Sequence, residues 1–523
     1  MCGVVITALA FCLNIYRGRS LHFDSTIPGF VSRFIPPALS HLLFDSEHYT
    51  TLIAVENVFQ KFQNRGTKYS ALDVDATISS VTTLDPKRIN RSFALMTSDN
   101  DKGMADLIEV GFRLFGLRID SLFKIYFLVL GMSCLAFLLE YGAKPAPMLA
   151  LTAFLVMHAQ VMPAIIFNDQ LGSPLNMRAI PILSIVASLH CLLFGWLGRM
   201  RICSLALLGF QAAIIIFVVH IRTPTLWQVC TIAIACGIAI ASKVLNRRVR
   251  LLSKQALRLW LAPLIFVALG YGFLVAYRDF AFPVAFQHGE GIKTRVVWAN
   301  IFDGLAFNPV LAKRYNLYID DVSLIRATGV YLLKHGREAD WVAMGGTEPS
   351  IGALQLMPYD LAVRDMLIDC CVDSPMECLK TVLWYKPVVL ISTLNWIYGL
   401  QNLPSVNVFV SPDVGDFLEV QVIDATRQLD KFGLRANPFG VFTLLLLPYA
   451  LLLIYRPRRE NRWTLFSVGI LAAGSVTPSL IGFPAPHTVA DAAIVLAMLL
   501  QVVLIVAVAS LPGISTGWSA FRK

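Results

Sequence analysis

A short acidic segment near the amino terminus carries side chains suited to proton-transfer chemistry. Residues 44–59 read FDSEHYTTLIAVENVF, so Asp45, Glu47 and His48 come just before a helical pattern of apolar residues. Carboxylates placed this way can act as a general base or bind a divalent cation as cofactor. Carboxylates at a helix start are also ordinary caps, which stabilise by about 0.5–2 kcal/mol. Both interpretations of Asp45 and Glu47 stay open at this point.

A second acidic cluster introduces an amphipathic pattern. Asp99 and Asp101 lead into a helical stretch, which a Phe-Gly-Leu sequence interrupts within residues 114–117 before a long apolar run begins. Glycine favours a break in a helix at such a position. The order predicts a helix lying on a surface, followed by a helix that enters an apolar environment.

Composition shows what kind of elements must position these residues. Of the 523 residues, 56% are hydrophobic and only 15% are charged, and the mean hydropathy is +0.64. Soluble globular proteins have about a quarter of their residues charged. Runs long enough to cross about 30 Å of hydrocarbon occupy residues 121–141, 147–167, 179–198, 202–221, 226–242, 259–277, 439–455, 464–483 and 488–511. With residues 1–15 as a short retained anchor, the chain is predicted to be an all-α polytopic membrane protein with about ten transmembrane helices.

The net charge of +10 comes with basic residues placed in short gaps between apolar runs. Three such gaps hold Arg199 with Arg201, the six cations of residues 243–258, and the four arginines of residues 456–462. Short loops rich in Lys and Arg stay on the cytoplasmic side of a membrane. The positive charge therefore predicts membrane orientation, and no nucleic-acid partner is implied.

Two long segments of mixed charge should lie on the other side. Alternation of the spans puts residues 17–120 and 278–437 outside the cytoplasm, provided that residues 384–403 form an interfacial helix and not a span. In a bacterium this corresponds to the inner membrane with both large loops in the periplasm. The predicted parts are an amino-terminal transmembrane module of residues 1–277, a mostly helical extracytoplasmic domain of residues 278–437, and carboxy-terminal transmembrane helices in residues 438–523.

The amino-terminal part resembles the polytopic glycosyltransferases of the GT-C fold, which use lipid-linked sugar donors. That family commonly has an acidic motif soon after the first helix, matched by the segment of Asp45, and then a pattern like ARN, matched loosely by AVEN at residues 54–57. Its first outer loop ends in an amphipathic helix with a Phe-Gly-Leu-like break, matched at residues 114–117. The resemblance covers mainly residues 1–200. Where many relatives have His-Pro-Pro, this chain has DKGM at residues 101–104.

The resemblance implies a reaction and a set of roles. A polyprenyl-phosphate sugar is the donor, a glycan or lipid outside the cytoplasm is the acceptor, and transfer proceeds with inversion. Asp45 and Glu47 are the expected catalytic carboxylates, and membrane lipid surrounds the donor. The substrate would be bound by the following residues: His48, Asp99, Asp101, Asp169, Arg118, Arg178 and Lys386.

Ordinary structural roles are also open to these binding residues. Arg118, Arg178 and Lys386 would supply positive charge to the departing lipid phosphate, but long cations near helix ends commonly extend to the headgroups. Asp169 lies in a short polar loop, residues 168–178, where a helix-terminal turn accounts for it equally well.

Two functions from other classes stay open. A transporter or flippase usually has related halves and charged residues at mid-membrane depth, whereas these spans are nearly free of charge. A non-catalytic scaffold would present residues 278–437 to a partner protein, and the DKGM sequence is compatible with it.

Three cysteines lie in a polar region: Cys370, Cys371 and Cys378. An extracytoplasmic location would allow a disulfide from Cys378 to one of the other two.

The orientation can be tested by cysteine labelling. A cysteine introduced at Asn64 and one introduced at Asn316 should both react with an impermeant maleimide in intact cells, because both long segments are predicted to face outward. A cysteine at Arg248 should react only after the membrane is opened. Protection of the Asn64 position in intact cells, with Asn316 reactive, would contradict a shared outer face.

Overall fold

The chain is mostly helical where the structure describes it. The computed structural model describes residues 2–24, 27–28, 35–44, 55, 57–59, 68–84, 102–166, 180–245, 254–281, 297–318, 321–346, 357–398, 410–431, 461–482 and 486–509. Within these ranges the strands are a two-residue antiparallel pair, β1 (Ile27–Pro28) and β2 (Lys68–Tyr69). Apart from that pair, the predicted all-α class is confirmed.

Apolar helices dominate the described residues. Five helical segments are long and apolar enough to cross a membrane: Asp120–Tyr141, Ile180–Leu197, Ile202–Ile221, Leu257–Tyr277 and Asn461–Ile481. Four shorter apolar stretches are Gly3–Arg17, Pro145–Val161, Leu226–Ser242 and Ala492–Val508. By length and composition these helices indicate a polytopic membrane protein. The predicted run at residues 439–455 lies outside the described residues, so the count of ten stays a prediction.

The described helices fall into two groups, those that contribute to the apolar stretches just named and those that do not. The apolar helices are α1 (Cys2–Asp24), α5 (Asp120–Tyr141), α6 (Pro145–Ile166), α7 (Ile185–Leu197), α8 (Ile202–Ile221), α9 (Leu226–Leu245), α10 (Lys254–Ala281), α19 (Asn461–Ser475), α20 (Thr477–Ile481) and α21 (Pro486–Ala509). The other helices are α2 (Ile35–Phe44), α3 (Ala71–Val81), α4 (Lys102–Phe115), α11 (Val297–Asp303), α12 (Pro309–Tyr315), α13 (Asp321–Lys334), α14 (Glu338–Ala343), α15 (Met357–Asp373), α16 (Pro375–Lys380), α17 (Lys386–Ile397) and α18 (Pro412–Lys431).

A buried polar network joins α1 to α5 and α6. The amide of Asn14 donates to the carbonyl of Leu155 at 2.7 Å, and its oxygen lies 2.6 Å from Nδ1 of His158. Because an amide oxygen only accepts, Nδ1 carries the proton, and Nε2 can accept from the hydroxyl of Tyr126 at 2.7 Å. Hydrocarbon supplies no alternative partner for these groups. The network therefore fixes the position of α1 along α6.

Aromatic and basic residues mark one end of the bundle, which we call the basic end. Trp196 stacks on Trp463 with ring centroids 3.7 Å apart and meets Trp260 edge-on at 4.7 Å. Arg462 lies over the Trp463 ring, and Lys144 donates to the carbonyl of Leu197 at 2.6 Å. Tryptophan and cations gather where helices leave the bilayer. The three basic gaps of the sequence connect helices at this end of the bundle. We call the other end of the bundle the opposite end.

A separate hydrophobic cluster lies between α11 and α16. Phe302 of α11, Leu324 of α13, and Tyr359 and Met366 of α15 form part of this second cluster. Asn308 ties its elements together: Oδ1 accepts from the backbone of Val310 at 2.9 Å, and Nδ2 donates to the backbone carbonyl of Glu377 at 3.0 Å. The cluster gives this part of the chain a core of its own.

The segment predicted to be an interfacial helix begins with a π-helical turn, Thr381–Tyr385, and continues as α17. Val389 and Ile397 of α17 are buried in the main core, where the helix contacts α18 and α21. Whether this helix lies at the membrane surface stays a prediction.

Close helix packing at the basic end provides a stability test. A Cβ on Gly195 would meet the Trp260 ring at 2.5 Å, whereas one on Gly237 would meet nothing within 4 Å. Overpacking a core costs about 1–3 kcal/mol, while replacing a helical glycine by alanine without a clash gains about 0.5–1 kcal/mol. Gly195→Ala should therefore lower the apparent melting temperature in detergent, and Gly237→Ala should keep or raise it. Equal melting temperatures for the two variants would contradict this packing.

Candidate functional site

Most of the site residues predicted from the sequence lie outside the described residues. These are Asp45, Glu47, His48, Asp99, Asp101, Asp169 and Arg178. Arg118 and Lys386 are described, as are the helices that flank the acidic segments. The site is therefore built from those helices.

The amphipathic helix α4 and its break are confirmed. Met104, Leu107, Ile108 and Phe112 are buried on one side of α4. The helix ends at Gly116, whose φ of +90° lies in the region that favours glycine. The turn delivers the chain to α5, so α4 connects directly to an apolar span.

Asp106 on the amphipathic helix forms a hydrogen bond with His220. Nε2 of His220 donates to Oδ2 of Asp106 at 2.6 Å, and the His220 side chain is only 7% exposed. The ring of Tyr277 meets the imidazole edge-on at 5.6 Å. A Cβ on Gly103 would collide with the backbone of His220. The missing side chain at Gly103 lets α4 touch the last turn of α8.

A second carboxylate and imidazole meet one turn further along the same helix. Nδ1 of His41, on α2, donates to Glu109 at 2.7 Å, and Arg113 donates to the other oxygen of Glu109 at 2.8 Å. Residues three apart on a helix are neighbours, so Asp106 and Glu109 lie side by side. The helix thus carries two carboxylates, each bonded to a histidine from a different element.

A third carboxylate fixes the corner after α4. Oδ1 of Asp75, on α3, accepts from the backbone of Ile119 at 2.8 Å, where α5 begins. The N-terminus of a helix has backbone donors without intrahelical partners, and a carboxylate there is favoured by the helix dipole. α3 is therefore held against the start of the span.

This cluster of α2, α3 and α4, which we call the loop cluster, lies at the opposite end. α5 begins beside it and runs to Tyr141, next to the basic end, while α8 begins after Arg201 and ends at the loop cluster. The charge rule puts the basic end in the cytoplasm. The loop cluster is then expected on the outer surface.

Arg118 lies in the turn between Gly116 and α5, and its side chain is exposed. Its backbone N–H bonds to the carbonyl of Gly116 at 2.9 Å. Nearby, Lys124 is paired with Asp120 at 2.7 Å. The guanidinium is open to solvent, and its role in binding phosphate stays a prediction.

Lys386 is buried far along the chain from the loop cluster. Its Nζ donates to the carbonyl of Leu480 at 3.1 Å and lies 6.0 Å from the Phe307 ring centroid. Burial lowers the pKa of this ammonium to about 8, although the charge of Asp303 acts in the opposite direction. The side chain joins α17 to the end of α20, and its role toward a phosphate stays a prediction.

The residues that sequence reasoning missed are Asp106, Glu109, His41 and His220. The i, i+3 spacing of the two acids on an amphipathic helix was a usable signal. The histidines gave none, because each lies within or at the end of an apolar stretch. Within the described ranges no group of three or more His, Cys, Asp or Glu residues could hold a metal ion, so the divalent cation stays a prediction for the acidic segments.

Comparisons of the chain with protein-family models, with curated proteins and with solved structures find no match. What the chain does must therefore be inferred from its own residues.

The pair of Asp106 and His220 should hold α4 on the bundle. A hydrogen bond to a charged group contributes about 1.5–3 kcal/mol. His220→Leu should therefore raise the equilibrium constant for local opening of α4 about tenfold or more. Arg113→Ala, which removes an exposed partner of Glu109, should change it little because exposed ion pairs contribute about 0–1 kcal/mol. Hydrogen exchange of residues 102–115, followed by mass spectrometry, measures both. Equal protection in the two variants would contradict a pinning role.

Proposed function

We propose that the chain is a membrane glycosyltransferase that moves a sugar from a polyprenyl-phosphate donor to a glycan or lipid acceptor with inversion. The observation that carries the proposal is α4: an amphipathic helix bonded through Asp106 to the end of a span and broken at Gly116 before the next span. It resembles the arrangement by which GT-C enzymes are expected to hold an acidic site at the membrane surface.

The chemistry requires an acidic site at that height. A polyprenyl-phosphate sugar is anchored in lipid, so its reactive carbon stays at the interface. A carboxylate that takes the proton of the acceptor hydroxyl allows attack from the face opposite the leaving phosphate, which inverts the anomeric centre. We assign Asp45 as this base and Glu47 as its neighbour.

Chain connectivity supports bringing the two acidic segments together. Asp45 directly follows Phe44, the last residue of α2, and Asp101 directly precedes Lys102, the first residue of α4. α2 and α4 are in contact through His41 and Glu109. The described residues next to these acids, Phe44 and Lys102, both belong to the loop cluster, which supports a shared site for the two acidic segments.

The remaining roles follow from charge. Asp99, Asp101 and His48 would bind the sugar or the acceptor, and Arg118 would neutralise the departing phosphate from its exposed turn. Asp169, Arg178 and Lys386 complete the proposed binding residues. In a bacterium the enzyme would lie in the inner membrane with this face in the periplasm.

The proposal is tested by turnover of polyprenyl-phosphate sugars by the full-length protein in lipid nanodiscs. Asp45→Asn should reduce turnover about 10²- to 10⁴-fold, because it removes a general base, and leave the melting temperature near that of the wild type.

Asp73→Asn is the matched control. Asp73 lies in the same first loop, but its carboxylate closes the capping box of α3 by accepting from Ser70 at 2.9 Å. This change should cost about 0.5–2 kcal/mol of stability and little turnover. Normal turnover by Asp45→Asn would refute the assigned base. A folded wild type inert toward every donor tested would refute the transferase, and lipid movement across vesicles by that protein would favour a flippase.

A further inference from the structure

Three cysteines meet in the helical part of the second long loop. Cys370 and Cys371 lie in the last turn of α15, and Cys378 lies in α16 after the break at Ser374. The sulfur of Cys378 is 2.9 Å from that of Cys371 and 4.0 Å from that of Cys370. A covalent S–S bond is about 2.0 Å long, so a small movement would join Cys378 to Cys371.

The three thiols differ in exposure. Cys370 is completely buried in the second hydrophobic cluster, whereas Cys371 and Cys378 are partly exposed. A dissolved oxidant can therefore reach Cys371 and Cys378, but Cys370 can be reached only from within the protein. Neighbouring residues on a helix point in different directions, which disfavours a bond between Cys370 and Cys371.

The surroundings of Cys370 favour its thiolate. A hydrogen bond from Cys378 lowers the pKa of Cys370 to about 7, with further help from the Tyr315 hydroxyl and the charge of Arg314. Arg314 is held nearby because it donates to the hydroxyl of Ser374 at 2.6 Å. The same hydrogen bond to Cys370 raises the pKa of Cys378. The thiolate is the nucleophile in disulfide exchange. Once Cys378 is oxidised it can no longer donate a hydrogen bond, but the Tyr315 hydroxyl and the charge of Arg314 still favour the Cys370 thiolate, which lies within reach of Cys378.

We propose that these residues form a redox-active thiol site: a small disulfide oxidant links Cys371 to Cys378, and Cys370 then exchanges with that bond at the sulfur of Cys378. The chemical class of the co-reactant is a low-molecular-weight disulfide, R–S–S–R. The site is independent of the proposed glycosyl transfer.

Oxidation and exchange are separate chemical steps. The Cys371 thiolate attacks one sulfur of R–S–S–R and releases R–S⁻, which takes up a proton. Cys378, after losing its proton to solvent, attacks the Cys371 sulfur and releases the second R–S⁻. The oxidant has gained two electrons, and the two protein thiols have lost them. In the exchange the Cys370 thiolate bonds to Cys378, Cys371 leaves as thiolate, and no net oxidation occurs.

A disulfide bond at Cys378 would constrain the junction between the second hydrophobic cluster and α17. Glu377, beside Cys378, accepts from the side chain of Asn308 at 3.0 Å, and α16 runs directly into the π-helical turn before Lys386. Exchange from Cys371 to Cys370 would move the covalent attachment of α16 by one residue along α15.

One peptide reports the state of all three sulfurs, because trypsin cleaves after Arg364 and Lys380 and leaves residues 365–380 intact. The full-length protein is incubated with oxidised and reduced glutathione and quenched with acid. Free thiols are then labelled with N-ethylmaleimide in SDS, and the remaining thiols are reduced and labelled with iodoacetamide. Fragmentation between residues 370 and 371 shows which cysteine was free.

The expected peptide carries one maleimide, mostly on Cys370, partly on Cys371 and not on Cys378. The share on Cys371 should appear faster as the pH rises, because more Cys370 is then thiolate. Three maleimides would overturn the site. A maleimide confined to Cys370 at every pH and time would overturn the exchange.

Matched serine variants separate chemistry from folding. Cys370→Ser should still form the bond and leave no free thiol in the peptide, whereas Cys378→Ser should leave both neighbours free. Cys371→Ser should form a bond from Cys370 to Cys378, which shows the longer contact directly. A bond between Cys370 and Cys371 in Cys378→Ser, with a melting temperature equal to that of the wild type, would contradict the assignment of Cys378 as the shared partner.

Discussion

Hydrocarbon cannot satisfy a polar group, and this constraint organises the whole structure. A buried side-chain donor or acceptor in the bundle is stabilised by a partner on its own or a neighbouring helix. Asn14 and His158 show the result, since their bonds decide how α1 lies along α6. Where the helices leave the hydrocarbon, the same requirement selects tryptophan with cations at the basic end and carboxylates with histidines at the opposite end. The two ends therefore differ in chemistry because each solves the constraint with different residues.

The loop cluster depends on that division. α4 has an apolar side to bury, but it also carries charges that lipid would not accept. Asp106 and Glu109 resolve the conflict by bonding to histidines, one of which ends a span. The helix is thereby held across the ends of α5 and α8 at a fixed depth. A site that acts on a lipid-anchored molecule requires a surface held at constant depth.

The membrane helices could be predicted well because their length has a direct physical meaning. The run predicted at residues 202–221 coincides with α8, and the one at residues 121–141 begins one residue after α5 does. The break at Gly116 was also readable, since a glycine that follows an amphipathic stretch commonly ends the helix. The bond from Asp106 to His220 was not, because 114 residues separate the partners and neither has a local pattern that requires the other. Similarly, the sequence allowed two partners for Cys378, and only the distances between sulfur atoms favour Cys371.

The backbone angle at Gly116 limits which amino acids can occupy this turn, because all of them except glycine are chiral at Cα. No atom lies within 4 Å of the place where a side chain would begin there, so space does not restrict this position. The backbone angle does, since φ of +90° is costly for any L-amino acid with a Cβ. The corner that joins the surface helix to the span therefore favours glycine because glycine is achiral. Larger residues are disfavoured there by the backbone angle and not by their size.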